Sequence, residues 1–209
     1  MRGRYHPKHS PDLPPEVACL LDLILDPTGR AEWQRRPHLA ETSRGRYLVA
    51  CDGPTMLVIG IPRWVRDPRY SPVFDYPAWE GAARTQPIGG PKHAPISIVA
   101  SWLTGPGDLQ VTGTGLASAD GRTLVMAGPQ HPKRAQVRAD VLSDLITMSS
   151  MLSPAPSTVT FQLRSGPVTL RPDTARFGPL DHAGVVSVEL LGTTNYTIQL
   201  VLAAVPVTF

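Results

Sequence analysis

The sequence predicts an α+β fold, mostly antiparallel β with two short helices. Three observations carry that expectation. Its 209 residues include 23 prolines and 18 glycines. Proline removes a backbone donor and clashes inside a helix, so a helical bundle is excluded. Short apolar runs alternate with turn residues over most of the chain, the pattern of many short strands. Only two stretches place apolar residues at helical spacing.

Residues 1–13 carry Arg2, Arg4 and Lys8 and read as a flexible basic arm. Residues 14–62 form a first strand–helix module. Its helix spans 14–26, where Pro14 and Pro15 suit the first turn and Glu16 complements the positive end of the dipole. Val17, Leu20, Leu21, Ile24 and Leu25 make one apolar stripe. Strands follow at 38–42, 46–51 and 55–61. The last two are joined by Asp52-Gly53, and Asp-Gly between apolar runs is a strong hairpin signal because glycine takes φ > 0 without a steric cost.

Residues 63–95 are rich in proline and aromatics and read as an irregular insertion. A long irregular segment of this kind is a candidate contact surface. Trp64, Tyr70, Phe74, Tyr76 and Trp79 are its candidate partner-binding residues. Residues 96–209 form a second β-rich module. Strands are expected at 96–103, 108–116 and 123–127, then a helix at 137–152, then strands at 157–164, 167–171, 184–191 and 195–208. The helix stripe is Val141, Leu142, Leu145, Met148 and Leu152, with Asp140 and Asp144 on its polar face.

The hairpin recurs. Residues 50–60 and 118–128 align at a constant offset of 68, matching Asp52 with Asp120, Gly53 with Gly121, Thr55 with Thr123 and Gly60 with Gly128. Paired aspartates in duplicated loops raise the idea of a shared proton, as in aspartic proteases. Here the order is Asp-Gly-x-Thr, which sets glycine and hydroxyl on the wrong side, so the aspartates read as turn residues. The scattered histidines and the pair Cys19 and Cys51 have no zinc-ligand spacing. Both cysteines read as small buried hydrophobes. No dinucleotide fingerprint, phosphate loop or nucleophile elbow is present. A non-enzyme with no cofactor or metal is expected.

Three stretches resemble a DNA sliding clamp of the bacterial type, the ring that tethers replicative polymerases. Tyr47–Gly53 with the apolar strand ending at Ile61-Pro62 resembles its Asp-Gly hairpin. Residues 136–170 resemble its strand–helix–strand–strand module. Leu202–Phe209 resembles its closing strand. The resemblance covers about half the chain and implies a clamp-like fold of βαβββ modules. It implies non-catalytic DNA binding, processivity or a replication-accessory role, with duplex DNA and a polymerase or other replication protein as partners and a homo-oligomeric state. A clamp ring holds twelve helices, so two helices per chain imply about six copies or further helices in the chain. DNA-facing clamp helices carry Lys and Arg that touch phosphates. The nearest candidates are Lys133, Arg134 and Arg138; the first helix offers only acids.

The net charge of +3 and pI near 9.1 allow a nucleic-acid partner without demanding one. The competing expectation is a bacterial or viral structural or interaction subunit of β architecture with no DNA role. No apolar run reaches the length of a membrane span, and a cytoplasmic place in a bacterial or phage-infected cell is expected.

Overall fold

The computed structural model describes residues 13–30, 32–42, 45–52, 55–63, 65, 86–103, 107–165, 184–193 and 195–206. The basic arm, the aromatics Trp64, Tyr70, Phe74, Tyr76 and Trp79, and the strand expected at 167–171 lie outside these residues.

The chain folds as three related units. The first is helix α1 (Pro15–Asp22), a single turn α2 (Glu32–Arg35), and strands β1 (His38–Thr42), β2 (Gly45–Cys51) and β3 (Thr55–Ile61). Strand β4 (Gln86–Pro87) is a two-residue addition. The second unit is β5 (Lys92–Pro95), α3 (Ile96–Trp102), β6 (Asp108–Thr112), β7 (Gly115–Ser118) and β8 (Thr123–Val125). The third is β9 (Arg134–Arg138), α4 (Ala139–Ser149), β10 (Thr158–Ser165), β11 (Gly184–Leu191) and β12 (Thr197–Pro206). Units two and three share one order: strand, helix, three antiparallel strands. The first repeats the helix and three strands.

The second and third units exchange their first strands. β5 pairs antiparallel with β10, setting Val159 opposite Ala94. β9 pairs antiparallel with β6, setting Leu109 opposite Val137. Each helix is therefore tethered to both sheets. One sheet runs β1-β2-β3-β12-β11-β10-β5 and the other β9-β6-β7-β8. β12 lies between β3 and β11, and its end turns onto β9 through Val205 and Pro206. At its centre the larger sheet is dry on both faces. Leu48, Ala50, Leu57, Ile59 and Leu200 point into the main core, while Val49, Cys51, Met56, Val58 and Val201 are buried on the other side.

Helices α1, α3 and α4 form one layer against the sheets. α4 packs against both α1 and α3. Leu142 and Leu145 of α4 and Leu20 and Leu21 of α1 are fully buried, the i, i+3/i+4 stripe that periodicity predicts. Burying a leucine side chain contributes about 2 kcal/mol each.

The sheets also meet at a second corner. His93 and Ala127 exchange backbone hydrogen bonds of 2.9 and 3.0 Å. Beside them Lys92 is 1% exposed. Its ammonium donates to the carbonyl oxygens of Gly128 (3.0 Å) and Pro129. Loss of hydration holds its pKa below the usual lysine value. The chain is crowded here. A Cβ on Gly113 would sit 1.5 Å from the carbonyl oxygen of His131, so only glycine fits.

Several sequence expectations are corrected. Residues 96–102 are helix, not strand. Ile96, Ile98 and Val99 favour strands intrinsically, but Ile96, Val99 and Leu103 follow helical spacing and pack on the core. The chain thus has three helices longer than one turn among the described residues, not two. The strand expected at 108–116 is two strands folded at Gly113-Thr114. Residues 86–95 are not wholly irregular, because β4 (86–87) and β5 (92–95) lie there as neighbours of β10. Cys19 is exposed, since it falls off the Val17–Leu20–Leu21–Ile24 stripe of α1.

Replacing Lys92 with alanine leaves two buried carbonyls without their donor and removes the packed stem. Urea unfolding should show a loss of about 2–3 kcal/mol. An unchanged unfolding midpoint would show that the corner does not depend on Lys92.

Candidate functional site

The three expected phosphate contacts sit on β9 and the turn before it. Burial alternates along β9: Arg134 exposed, Ala135 buried, Val137 buried, Arg138 exposed. Arg134 and Arg138 therefore share the outer face, about 13 Å apart at the usual strand rise. Lys133 is exposed just before them.

That face is not purely basic. Arg138 is bound by Asp140, with Nε donating to Oδ1 at 3.2 Å and the second arm of the guanidinium to Oδ2. Asp140, then the more distant Asp52 and Asp108, hold the Arg138 pKa above its usual value. Asp108 lies directly across the strand pair from Arg138 and accepts a hydrogen bond from Gln136 Nε2. Arg138 thus shares its surroundings with three carboxylates. Such exposed pairs contribute little stability, but they lower the positive potential that DNA would meet.

The three longer helices carry no basic residue. The sequences of α1, α3 and α4 contain neither Lys nor Arg. Their outward side chains include Cys19, Asp22, Ile98 and Asp144. A helix layer of this composition does not attract phosphate.

The two hairpin aspartates occupy equivalent turns, β2–β3 and β7–β8, but different environments. Asp52 N–H donates to Thr55 O (3.1 Å), and the Asp52 carboxylate accepts from Thr55 N–H (2.8 Å). Burial raises the Asp52 pKa, against the pull of that hydrogen bond and of Arg138. Asp120 is exposed. It accepts from the Ser118 hydroxyl and from Arg122 Nε (2.8 Å), which lower its pKa, the hydroxyl most. Gly121, at φ +86°, closes that turn. Arg122 stacks over Trp102, 5.6 Å from the ring centre. The charged neighbours of Asp52 are Arg138 and Asp26, and that of Asp120 is Arg122. The two carboxylates are not a pair.

A cleft of ≈ 280 Å³ opens where β2 and β3 meet the start of β12. It is lined by Arg46, Tyr47, Ile61, Pro62, Asn195 and Tyr196, among others. Sequence reasoning missed it, because its walls come from turns far apart in the chain. Arg46 is held by Glu41 at 2.7 Å and donates to the carbonyl oxygens of Arg63 (3.3 Å) and Val65 (2.5 Å). Burial, then nearby Glu16, raises the Tyr196 phenol above its usual range.

Among the described residues, no group of His, Cys, Asp and Glu is placed to hold a metal ion, and no helix is long and apolar enough to cross a membrane. The chain matches no model of a known protein family, no curated protein and no solved structure.

Asp52→Asn tests the turn reading. A carboxyl whose folded pKa is raised binds more protons folded than unfolded, so its ionisation costs stability as pH rises from about 3.8 through the folded value. Asparagine keeps an acceptor for Thr55 N–H. Its melting temperature at pH 7 should equal or exceed the parent's, with the advantage fading on acidification. A large loss at pH 7 would contradict the assignment.

Proposed function

We propose that the protein is a non-catalytic, DNA-clamp-like factor with a DNA-binding, processivity or replication-accessory role in the cytoplasm of a bacterial or phage-infected cell. It holds partners by its surfaces and makes or breaks no bond. The observation that best supports this reading is the doubled strand–helix–three-strand unit with exchanged first strands, the module order that the clamp resemblance implies. The three helices longer than one turn among the described residues put a twelve-helix ring at four copies rather than six. Lys133, Arg134 and Arg138 are the phosphate contacts in this reading. Trp64, Tyr70, Phe74, Tyr76 and Trp79 are the surface for a polymerase or other replication protein.

A second reading has its own support. The helix layer has no Lys or Arg, which favours an interaction subunit with no DNA role, docking a protein partner at the cleft beside Tyr47 and Tyr196.

Duplex binding against salt separates the two. Three phosphate contacts give a slope of log K against log salt of about −3, since each neutralised phosphate contributes about −0.9. Lys133→Ala with Arg134→Ala should make that slope shallower by about 2. Absence of duplex binding even at low salt would sink the DNA role and leave the second reading.

A further inference from the structure

His131 stands in the segment between β8 and β9, where that segment crosses the start of β5. Its ring is half-buried and closely fitted. A Cβ on Gly89 would run into His131 Cδ2, and a Cβ on Gly90 into the ring of Pro129. Gly113 makes room for the His131 carbonyl on the other side. Three glycines thus shape the corner around one short segment.

The corner suits a neutral imidazole and not a charged one. His131 Nδ1 is buried and meets no hydrogen-bond partner. The charge that acts on the ring is the Lys92 ammonium, which is itself engaged by the carbonyls of Gly128 and Pro129. The segments packed against the ring, 88–92 and 112–114, bring no other titratable side chain, and its own segment adds the cations Lys133 and Arg134. No carboxylate lies on any of these segments. Burial, then Lys92, hold the imidazole below its usual pKa, with the backbone of Lys133 opposing them.

The same segment fastens the two sheets together. Ala127 and His93 exchange backbone hydrogen bonds, and Lys92 ties Gly128 and Pro129 to β5. Immediately downstream it becomes β9, with Lys133 and Arg134 at the junction.

We propose that residues 127–131 form a proton-released latch between the two sheets, with His131 as its trigger. A neutral ring keeps the latch closed. Protonation sets a second cation against Lys92 with no anion to balance it. The segment relieves that repulsion by releasing the ring to water, which breaks the His93–Ala127 bridge and frees the lead-in to β9. The β5–β10 and β9–β6 ladders do not run through this segment and stay paired. The closed latch binds fewer protons than the open one. Closure is therefore strongest above the ordinary histidine value of 6.5 and is lost as pH falls from there through the closed-state value. The latch needs no DNA, so it stands or falls separately from the proposed function.

Amide hydrogen exchange from about pH 7.5 to about pH 5, with each rate divided by its intrinsic value at that pH, tests it. Protection of the Ala127 and His93 amides should fall about tenfold for each unit by which closure lowers the His131 pKa. Amides of β6 and β10, which are flanked by strands on both sides, should keep theirs. His131→Gln cannot take up the proton and should hold the protection of Ala127 and His93 level across the range. The imidazole shifts of the unaltered protein give a second measurement that needs no variant: His131 should titrate below 6.5, together with the loss of protection. Protection that ignores pH in the parent overturns the proposal. So does a fall that His131→Gln reproduces, or a His131 ring that titrates at or above 6.5.

Discussion

The fold depends on one constraint: the first strand of each complete unit must pair outside that unit. β5 on β10 and β9 on β6 lock the two sheets around α3 and α4. Neither unit can bury its helix alone, because its own helix is carried in on a strand that belongs to the opposite sheet. The core is therefore shared, and Leu109, Val137, Val159, Phe161 and Leu142 form part of one continuous cluster. β12 extends this core by joining the first unit through β3.

The shared core explains what surrounds it. The corner at Lys92 is crowded because two sheet edges converge there. An ammonium satisfies carbonyls from a chain segment that has no strand partner of its own. Burying a cation is costly unless its donors are used, and the two carbonyl contacts offset that cost. Gly113 gives the backbone of His131 room at the same corner. The hairpin aspartates stabilise turns, β9 presents mixed charge, and the helix layer presents none that is basic.

Local signals in the sequence were legible where one short segment settled its own structure. The Asp52 and Asp120-Gly121 turns, the stripes of α1 and α4, and strands β1 to β3 follow from turn chemistry and periodicity. α3 was not legible, because seven residues rich in β-branched side chains favour a strand until Val99 is seen packed on the core. β5 was hidden in a proline-rich stretch, and its partner β10 lies far along the chain. The candidate site was legible only in part. Exposure of Lys133, Arg134 and Arg138 follows from the pattern along β9. The approach of Asp108 to Arg138 does not, since it comes through cross-strand register and not through sequence proximity. The cleft beside Tyr47 and Tyr196 likewise exists only once β3 and β12 are joined.

Inter-strand contacts measured by nuclear Overhauser effects on a deuterated sample test the strand exchange most directly. The account predicts contacts from Ala94 to Val159 and from Val137 to Leu109 in the same molecule. Contacts that instead join β5 to β6, and β9 to β10, would place each first strand within its own unit and contradict it.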